Sequence, residues 1–448
     1  MLMNTSHIRF KTLSINALAT CLTLNAVSIQ AAPRGFTDAR SLGMGRTGIA
    51  IESPLAAPFL NPALLAMPGE KASRSTKLLL PSLRGSAAMD EDLVDDIDDF
   101  QDNDRWDEFV DAVDAFNGSN SGATEAEARA ALANAIDKAK AVDTSLGNVD
   151  REALQLRLGL GTALSRTGGD KPGYAVFAST NVEINGISRY NDSGTVNAVI
   201  DAAEAALEAA DSSDPSGLSS DLERPTDDPQ SNASVLGIAV AEVGIAYAHN
   251  IRLDAANLQL GVAPKLQHVR TFDYTANANS FDENDFDAGE SEEQKTVFNM
   301  DLGASAQFDH LEALSFALVI KNIVPHEFDT AGGNTMELNP LVQAGAAYTG
   351  DNFVVTAELD LTRSEGVGFE GDRQLLAVGG EFSPLDWLHL RGGVSKNLKH
   401  GGAEGGDIDQ DTLVSAGLGF SPGSTRIDLA AFVGESTTGA AFQLGFLF

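Results

Sequence analysis

Past residue 72 the chain repeats one pattern: segments of roughly ten to fifteen residues in which apolar and polar side chains alternate one for one. From Phe353 to Arg363, Phe353, Val355, Ala357, Leu359 and Leu361 share one face, and Thr356, Glu358, Asp360 and Thr362 the other. Leu154, Leu156, Leu158 and Leu160 likewise oppose Gln155, Arg157, Gly159 and Gly161. Leu258, Leu260, Val262 and Leu266 oppose Gln259, Lys265 and Gln267, and Phe298, Met300 and Leu302 oppose Asn299 and Asp301. A period of two places neighbouring side chains on opposite faces of a strand, so one face meets an apolar medium and the other a polar one. A soluble sandwich shares that alternation; strand length and loop order must decide between them.

Fourteen strands are predicted, near 74–87, 151–166, 172–190, 235–250, 255–275, 294–308, 314–323, 340–349, 353–363, 372–382, 386–396, 412–420, 425–434 and 439–448. Their connections sort into two kinds. Segments 88–150, 191–234, 276–293, 324–339, 364–371 and 397–411 are mostly long, whereas the alternate ones, 167–171 and 252–254 among them, are short. An even strand count with short turns at one end and long loops at the other predicts an all-β fold, a transmembrane outer-membrane β-barrel of about 14 antiparallel strands. On this reading Arg157, Lys265, Glu358, Asp360 and Arg391 are polar lumen residues, either ion-pairing the wall to whatever fills the barrel or lining an aqueous path. Phe442, Leu444, Phe446 and Phe448 alternate up to the last residue. That ending resembles the signal read by barrel assembly machinery, which with outer-membrane lipid is an expected partner.

The chain's beginning sets the compartment. Residues 1–31 carry a basic head (His7, Arg9, Lys11), an apolar stretch from Leu13 to Ile29, and Ala31 where a signal peptidase needs a small residue. A signal peptide cleaved near Ala31 sends the protein to the outer membrane of a Gram-negative bacterium. Two alternatives use the same residues: a membrane anchor, against which Asn16 and Asn25 argue, and a lipoprotein signal at Leu18-Ala19-Thr20-Cys21. Residues 32–72 have no period, are too apolar for a periplasmic tail and too rich in Gly and Pro for a helix; they are expected to plug the lumen of a barrel formed by residues 73–448. Helical inserts are predicted in two long loops, near 90–142 and 196–210, from Ala-rich stretches at 124–142 and 196–210 and, within 90–114, a weak apolar stripe of Leu93, Ile97, Phe100, Phe109 and Val113.

Composition removes several classes of function. With 30 Lys+Arg against 64 Asp+Glu, the net charge of −34 excludes nucleic acid as a natural partner. One Cys among 448 residues excludes a disulfide framework and a thiolate metal cluster. Neither the acidic run 90–114 nor the segment 282–293 has a glycine at the turn position of an EF-hand; the loop inserts read as solvated helices covering the barrel mouth, with a docking surface or loose cation binding as the alternative. None of the seven His belongs to an HExxH motif, and no nucleophile elbow, Walker loop or dinucleotide fingerprint is present. The expectation is therefore no enzyme, no cofactor and no metal. His389 reads as a lumen residue beside Arg391, and His249, His268 and His326 are the ones near loop boundaries.

The N-terminal segment carries a resemblance. Ala39-Arg40-Ser41-Leu42-Gly43-Met44-Gly45, then Gly48-Ile49-Ala50, then Asn61-Pro62-Ala63 resemble the hatch of the FadL-like outer-membrane channels for hydrophobic compounds, in the branch of conjugal-transfer TraF-like proteins related to PorV-type barrels. Ile320-Lys321-Asn322-Ile323 and Leu390-Arg391-Gly392-Gly393 look like that family's strand ends. The resemblance implies a fourteen-stranded barrel with Gly43, Gly45, Gly48, Asn61, Pro62 and Ala63 as hatch residues that anchor the plug or gate a ligand. It implies passive uptake of hydrophobic compounds such as long-chain fatty acids. A non-transporting scaffold or shuttle, bound to a protein of a secretion or transfer apparatus, is the alternative; an open diffusion porin is a third, against which the apolar plug argues. A thioredoxin-like conjugation protein shares the TraF name, but this chain has no CxxC.

Overall fold

The computed structural model describes residues 35–53, 55–67, 76–89, 104–119, 123–168, 171–211, 218, 220–277, 291–399 and 412–448. The predicted signal peptide, the ends of the predicted plug (32–34 and 68–72), residues 90–103 of the acidic run and residues 282–290 lie outside them.

Among the described residues, fourteen strands close into one antiparallel barrel in which each strand pairs with its neighbours in the chain order of the wall. These are β1 (Thr76–Met89), β2 (Ala153–Arg166), β3 (Gly173–Arg189), β4 (Asn232–Leu253), β5 (Ala256–Asn277), β6 (Glu292–Phe308) and β7 (Leu314–Lys321). After a small hairpin, β8 (His326–Asp329) and β9 (Thr335–Leu338), the wall resumes with β10 (Leu341–Thr349), β11 (Phe353–Asp360), β12 (Leu375–Leu385) and β13 (Leu388–Asn397). It ends with β14 (Thr412–Phe420), β15 (Thr425–Val433) and β16 (Thr437–Leu447). The seam is sealed by β1 against β16, from Lys77↔Leu447 to Ala88↔Thr437. Pro81 cannot donate to a ladder, and β1 shifts register against both neighbours between Leu79 and Leu83.

The alternation turns the usual protein inside out. Gln155, Arg157, Lys265 and Asp301 are buried, whereas Val176, Ile245, Phe298 and Val414 are each more than half exposed. Water would penalise such an outer face; lipid does not, and the closed ladder leaves no wall edge to satisfy. Aromatic side chains gather at the short-turn rim, where Tyr348 stacks on Phe353, Trp387 on Phe420 and Phe446 on Phe448. That is the girdle expected at a membrane interface.

Two features shape the other end. A membrane-crossing strand needs roughly 9–11 residues; β4 and β5 have 22 each, while β7 and β11 have 8. One side of the barrel is therefore a tall wall. Beside it the inserts form three helices, α3 (Arg105–Ser119), α4 (Glu125–Asn148) and α5 (Ser193–Asp211), numbered after two short helices of the N-terminal segment. Thr124 and Glu127 make a reciprocal capping box at the start of α4. The helices share their own core of Trp106, Phe109, Val113, Phe116, Leu132, Val142, Val196 and Val199. Lys138 to Glu108 (2.5 Å) and Lys140 to Glu204 (2.6 Å) clip them together at the surface.

Candidate functional site: the plugged lumen

Residues 35–53 and 55–67 lie inside the barrel, and the wall receives them on glycine. Helix α1 (Ala39–Gly43) runs against β14 and β15, and the 3-10 turn Pro62–Ala66 against β4 and β5, with helix α2 (Ala57–Leu60) between. A Cβ on Gly43 would stand 3.1 Å from the Cα of Gly417 on β14. Met44 and Gly45 rest on Gly379 and Gly393, which are directly paired across β12 and β13. Gly45 sits at φ +71°, and a Cβ there would meet the backbone of Val394 at 2.8 Å. On the opposite wall Gly261 of β5 receives Pro62 and Ala63, and Gly303 of β6 receives Asn61. Backbone meets backbone at Gly261, Gly379, Gly393 and Gly417, and at Gly303 the Asn61 side chain fills the place of a Cβ.

Hydrogen bonds fix the same segment. Gly48 and Ile49 donate their amides to the Glu358 carboxylate, the latter at 2.7 Å, and the Gly45 amide donates to Ser415 Oγ at 2.8 Å. Asn61 Oδ1 accepts from the Ala63 amide at 3.0 Å, capping the 3-10 turn, while Nδ2 donates to the Ile49 carbonyl at 2.9 Å and the Ala304 carbonyl of the wall at 3.4 Å. One side chain thus ties both halves of the plug to β6. Pro62 begins the turn, where the missing N–H costs nothing.

Charges complete the seat. Arg40 donates both Nε and Nη2 to Glu381 at 3.0 Å, and Arg391 Nε donates to the same carboxylate at 2.6 Å. Arg391 and Arg426 then hold Asp428 at 2.7 and 3.1 Å. Asp38 opens α1 with both carboxylate oxygens buried and without a hydrogen-bond partner. Burial, foremost, pushes its carboxyl above the ordinary carboxylate range; the neighbouring Ser41 hydroxyl opposes this, Asp428 adds to it, and Arg40 and Arg391 oppose it.

The structure separates the sequence-selected residues into groups. Glu358 touches the plug directly, Arg391 acts through Glu381, and Asp360 binds Gln343 at 3.0 Å and the Leu375 amide at 3.0 Å within the wall. Lys265 lies between Glu242 (3.1 Å) and Asp301 (3.0 Å), in a belt that reaches Asn322 through Gln267. Arg157 belongs to a cluster at the long-loop end, 2.6 Å from Glu183 and 2.5 Å from Glu370. Phe442 and Phe448 are exposed on and just past β16, and Phe446 is half-buried between them. His389 bridges Ser383 and Ser421 at 2.8 and 3.0 Å. His268 contacts Thr296 on the long-loop half of β5, far along the strand from His249 at the short-turn end, and His326 contacts the Phe298 carbonyl from β8. Ile320–Ile323 closes β7, but Leu390–Gly393 lies within β13.

Sequence reasoning missed Glu381, Asp428, Glu183, Glu370 and Arg373, and it missed the wall glycines. An inward position filled by Gly rather than a polar side chain was the signal available for the latter. It also missed an apolar patch within the lumen: Ile238 and Val240 of β4, Val269 of β5 and Val297 of β6 meet Phe328, Met336 and Leu338 of the β8–β9 hairpin.

A family model described as "F plasmid transfer operon, TraF, protein" matches residues 58–360, well over half of the chain. The chain belongs to this TraF family. The matched span runs from the plug's Asn61-Pro62-Ala63 through β11 and takes in all three loop helices. Solved structures similar to this TraF-family chain include the Pseudomonas putida toluene transporter TodX, at 11% identity over 93% of this chain and 98% of that one, TM-score 0.46. The Ralstonia pickettii toluene transporter TbuX is similar at 12% identity over 93% and 99%, TM-score 0.46. A Pseudomonas aeruginosa FadL homologue is similar at 11% over 94% and 99%, TM-score 0.45. No curated protein matches the chain.

Proposed function

We propose that this barrel takes up hydrophobic compounds passively across the outer membrane, long-chain fatty acids being the class to try first, with the N-terminal segment as its gate. The observation that carries the reading is the lumen's lining on the tall wall. An aqueous pore gains nothing from apolar inward side chains, yet β4–β6 present Ile238, Val240, Val269 and Val297 above the Lys265 belt. Below it Phe177, Ala246, Ala248 and Ala263 meet Phe59, Leu60, Leu64 and Leu65 of the plug. A hydrophobic molecule gains about 25 cal/mol for each Å² it hides from water along such a strip. Movement of Asn61, which holds both the plug and β6, would open the lower apolar zone as far as the Lys265 belt.

A second reading, a closed scaffold docked to a secretion or transfer apparatus, draws on the ion pairs of Arg40, Glu381, Arg391 and Asp428, which fill the opposite side of the lumen. Lipid extraction and mass spectrometry of the detergent-folded barrel, beside Asn61→Ala, separate the two. Uptake predicts co-purified fatty acid or hydrocarbon near one per chain and a changed occupancy in the variant. A ligand-free barrel that also takes up no labelled hydrophobe in vesicles removes the uptake reading.

A further inference from the structure

The outer opening of the lumen is crossed by a strap. Residues 361–374 join β11 to β12, yet Glu370 and Arg373 find ionic partners on β2 and β3, on the opposite side of a fourteen-strand ring. Glu370 of the strap binds Arg157 of β2 at 2.5 Å, and Arg373 binds Glu183 of β3 as well as Glu370. Two cations and two carboxylates thus close a compact buried cluster. The strap's backbone is held too: Asn185 Nδ2 of β3 donates to the Val367 carbonyl at 2.7 Å, and Arg189 lies 5.3 Å over the Phe369 ring. Val367 adds its side chain to the apolar patch of Ile238, Val240, Val269 and Val297, which the β8–β9 hairpin covers from the other flank. Gly368, at φ +63°, presses on Leu236 of β4.

We propose that residues 361–374, with the β8–β9 hairpin, are a lid latched across the outer mouth by Arg157, Glu183, Glu370 and Arg373, and that release of this latch exposes the apolar lumen patch to the outside. The lid and the plug are separate closures at different depths. The inference concerns access from outside and holds whether or not any compound passes the plug. Burial makes the cluster an all-or-none fastening, because removing one partner strands another charge away from water. A short surface loop would have been free to lie over its own strands; the strap instead spans the ring and commits Glu370 and Arg373 to the far side.

The experiment reads access to Val269→Cys, a buried lumen position beneath the lid. The barrel is displayed on intact cells and treated with a membrane-impermeant maleimide. Since the sequence has Cys21 alone, within the predicted signal, the reporter is the sole thiol past residue 31. In the otherwise native chain labelling should be slow. In Glu370→Gln and Arg373→Gln it should rise by at least about tenfold, as expected when a buried ionic fastening is broken and the open state gains population. A disulfide between Asn185→Cys and Val367→Cys, formed by mild oxidation and kept intact, with no reductant added, while the remaining Val269→Cys thiol is labelled, should return the rate to the native level. Folding of each variant is checked by its heat-dependent migration on gels. Folded latch variants that label no faster than the native chain overturn the proposal, and so does acceleration that the disulfide does not reverse. Should the latch variants fail to fold, the disulfide in the native background decides: slower labelling supports the lid, and an unchanged rate overturns it.

Discussion

Gly393 shows how a single missing methyl group positions a chain. Its Cα bears no side chain because the backbone of Met44 and Gly45 occupies that space, and its partner Gly379 is bare for the same reason. Gly393→Val should therefore cost about 1–3 kcal/mol of overpacking and loosen the plug. Limited proteolysis after Arg40 or Arg46 is the measurement, with faster cleavage in a barrel that still runs as folded. Asp38 gives a prediction in pH. Its folded-state carboxyl is raised by burial, so the native state binds the proton more tightly than the unfolded chain does. Its contribution is complete below the ordinary value of 3.8 and is lost as pH rises through the higher folded value. Asp38→Asn, which removes a buried unpaired carboxylate, should stabilise the protein at neutral pH by about 1–3 kcal/mol. That gain should vanish as pH falls toward 3.8. A denaturation midpoint measured across this window checks the sign; a variant less stable than the parent at pH 7 contradicts it.

Among elements, the strands were legible from alternation because each meets lipid on one side and polar groups on the other. β14 begins and ends on the residues predicted, and β2, β3 and β6 lie within two residues of their predicted bounds. β8 and β9 were not legible: at four residues each they are too short to show a period, and Phe328 and Met336 read as isolated apolar positions in a loop. The Ala-rich stretches announced α4 and α5 through propensity, while α3 emerged from the acidic run whose stripe of Phe109 and Val113 was weak on its own. What periodicity could not supply was that the three would share one core. That core is separate from the barrel's, so Phe109→Ala should cost about 3–5 kcal/mol within the cap and leave the barrel intact. Loss of helical circular dichroism at unchanged heat-dependent migration is the expected result; loss of the folded barrel band would tie the two cores together.

For the whole molecule, the plug residues Gly43, Gly45, Gly48 and Asn61 were picked out by motif, but their seats were invisible in one dimension. Glu381 and Arg40 are 341 positions apart, and nothing local marks them as partners. Lumen polarity was readable from alternation, whereas pairing across the ring depends on strand order and shear. The patch at Ile238 and Val240 breaks the alternating rule, since both faces of that stretch are apolar or small. Such a breach marks where something other than water or lipid meets the wall.

The glycine seats also carry a statement about time. Phe36 lies on Gly161 of β2 and Leu55 on Gly445 of β16, so the plug rests on the two strands that pair with β1. Those seats face one another only after the last strand has joined the first. Although residues 35–67 precede every strand in the chain, their cradle is complete only when the ring is. A chain stalled one strand short lacks the Gly445 seat for Leu55. A segment that comes before the wall in the chain thus has its full set of seats only in the closed ring.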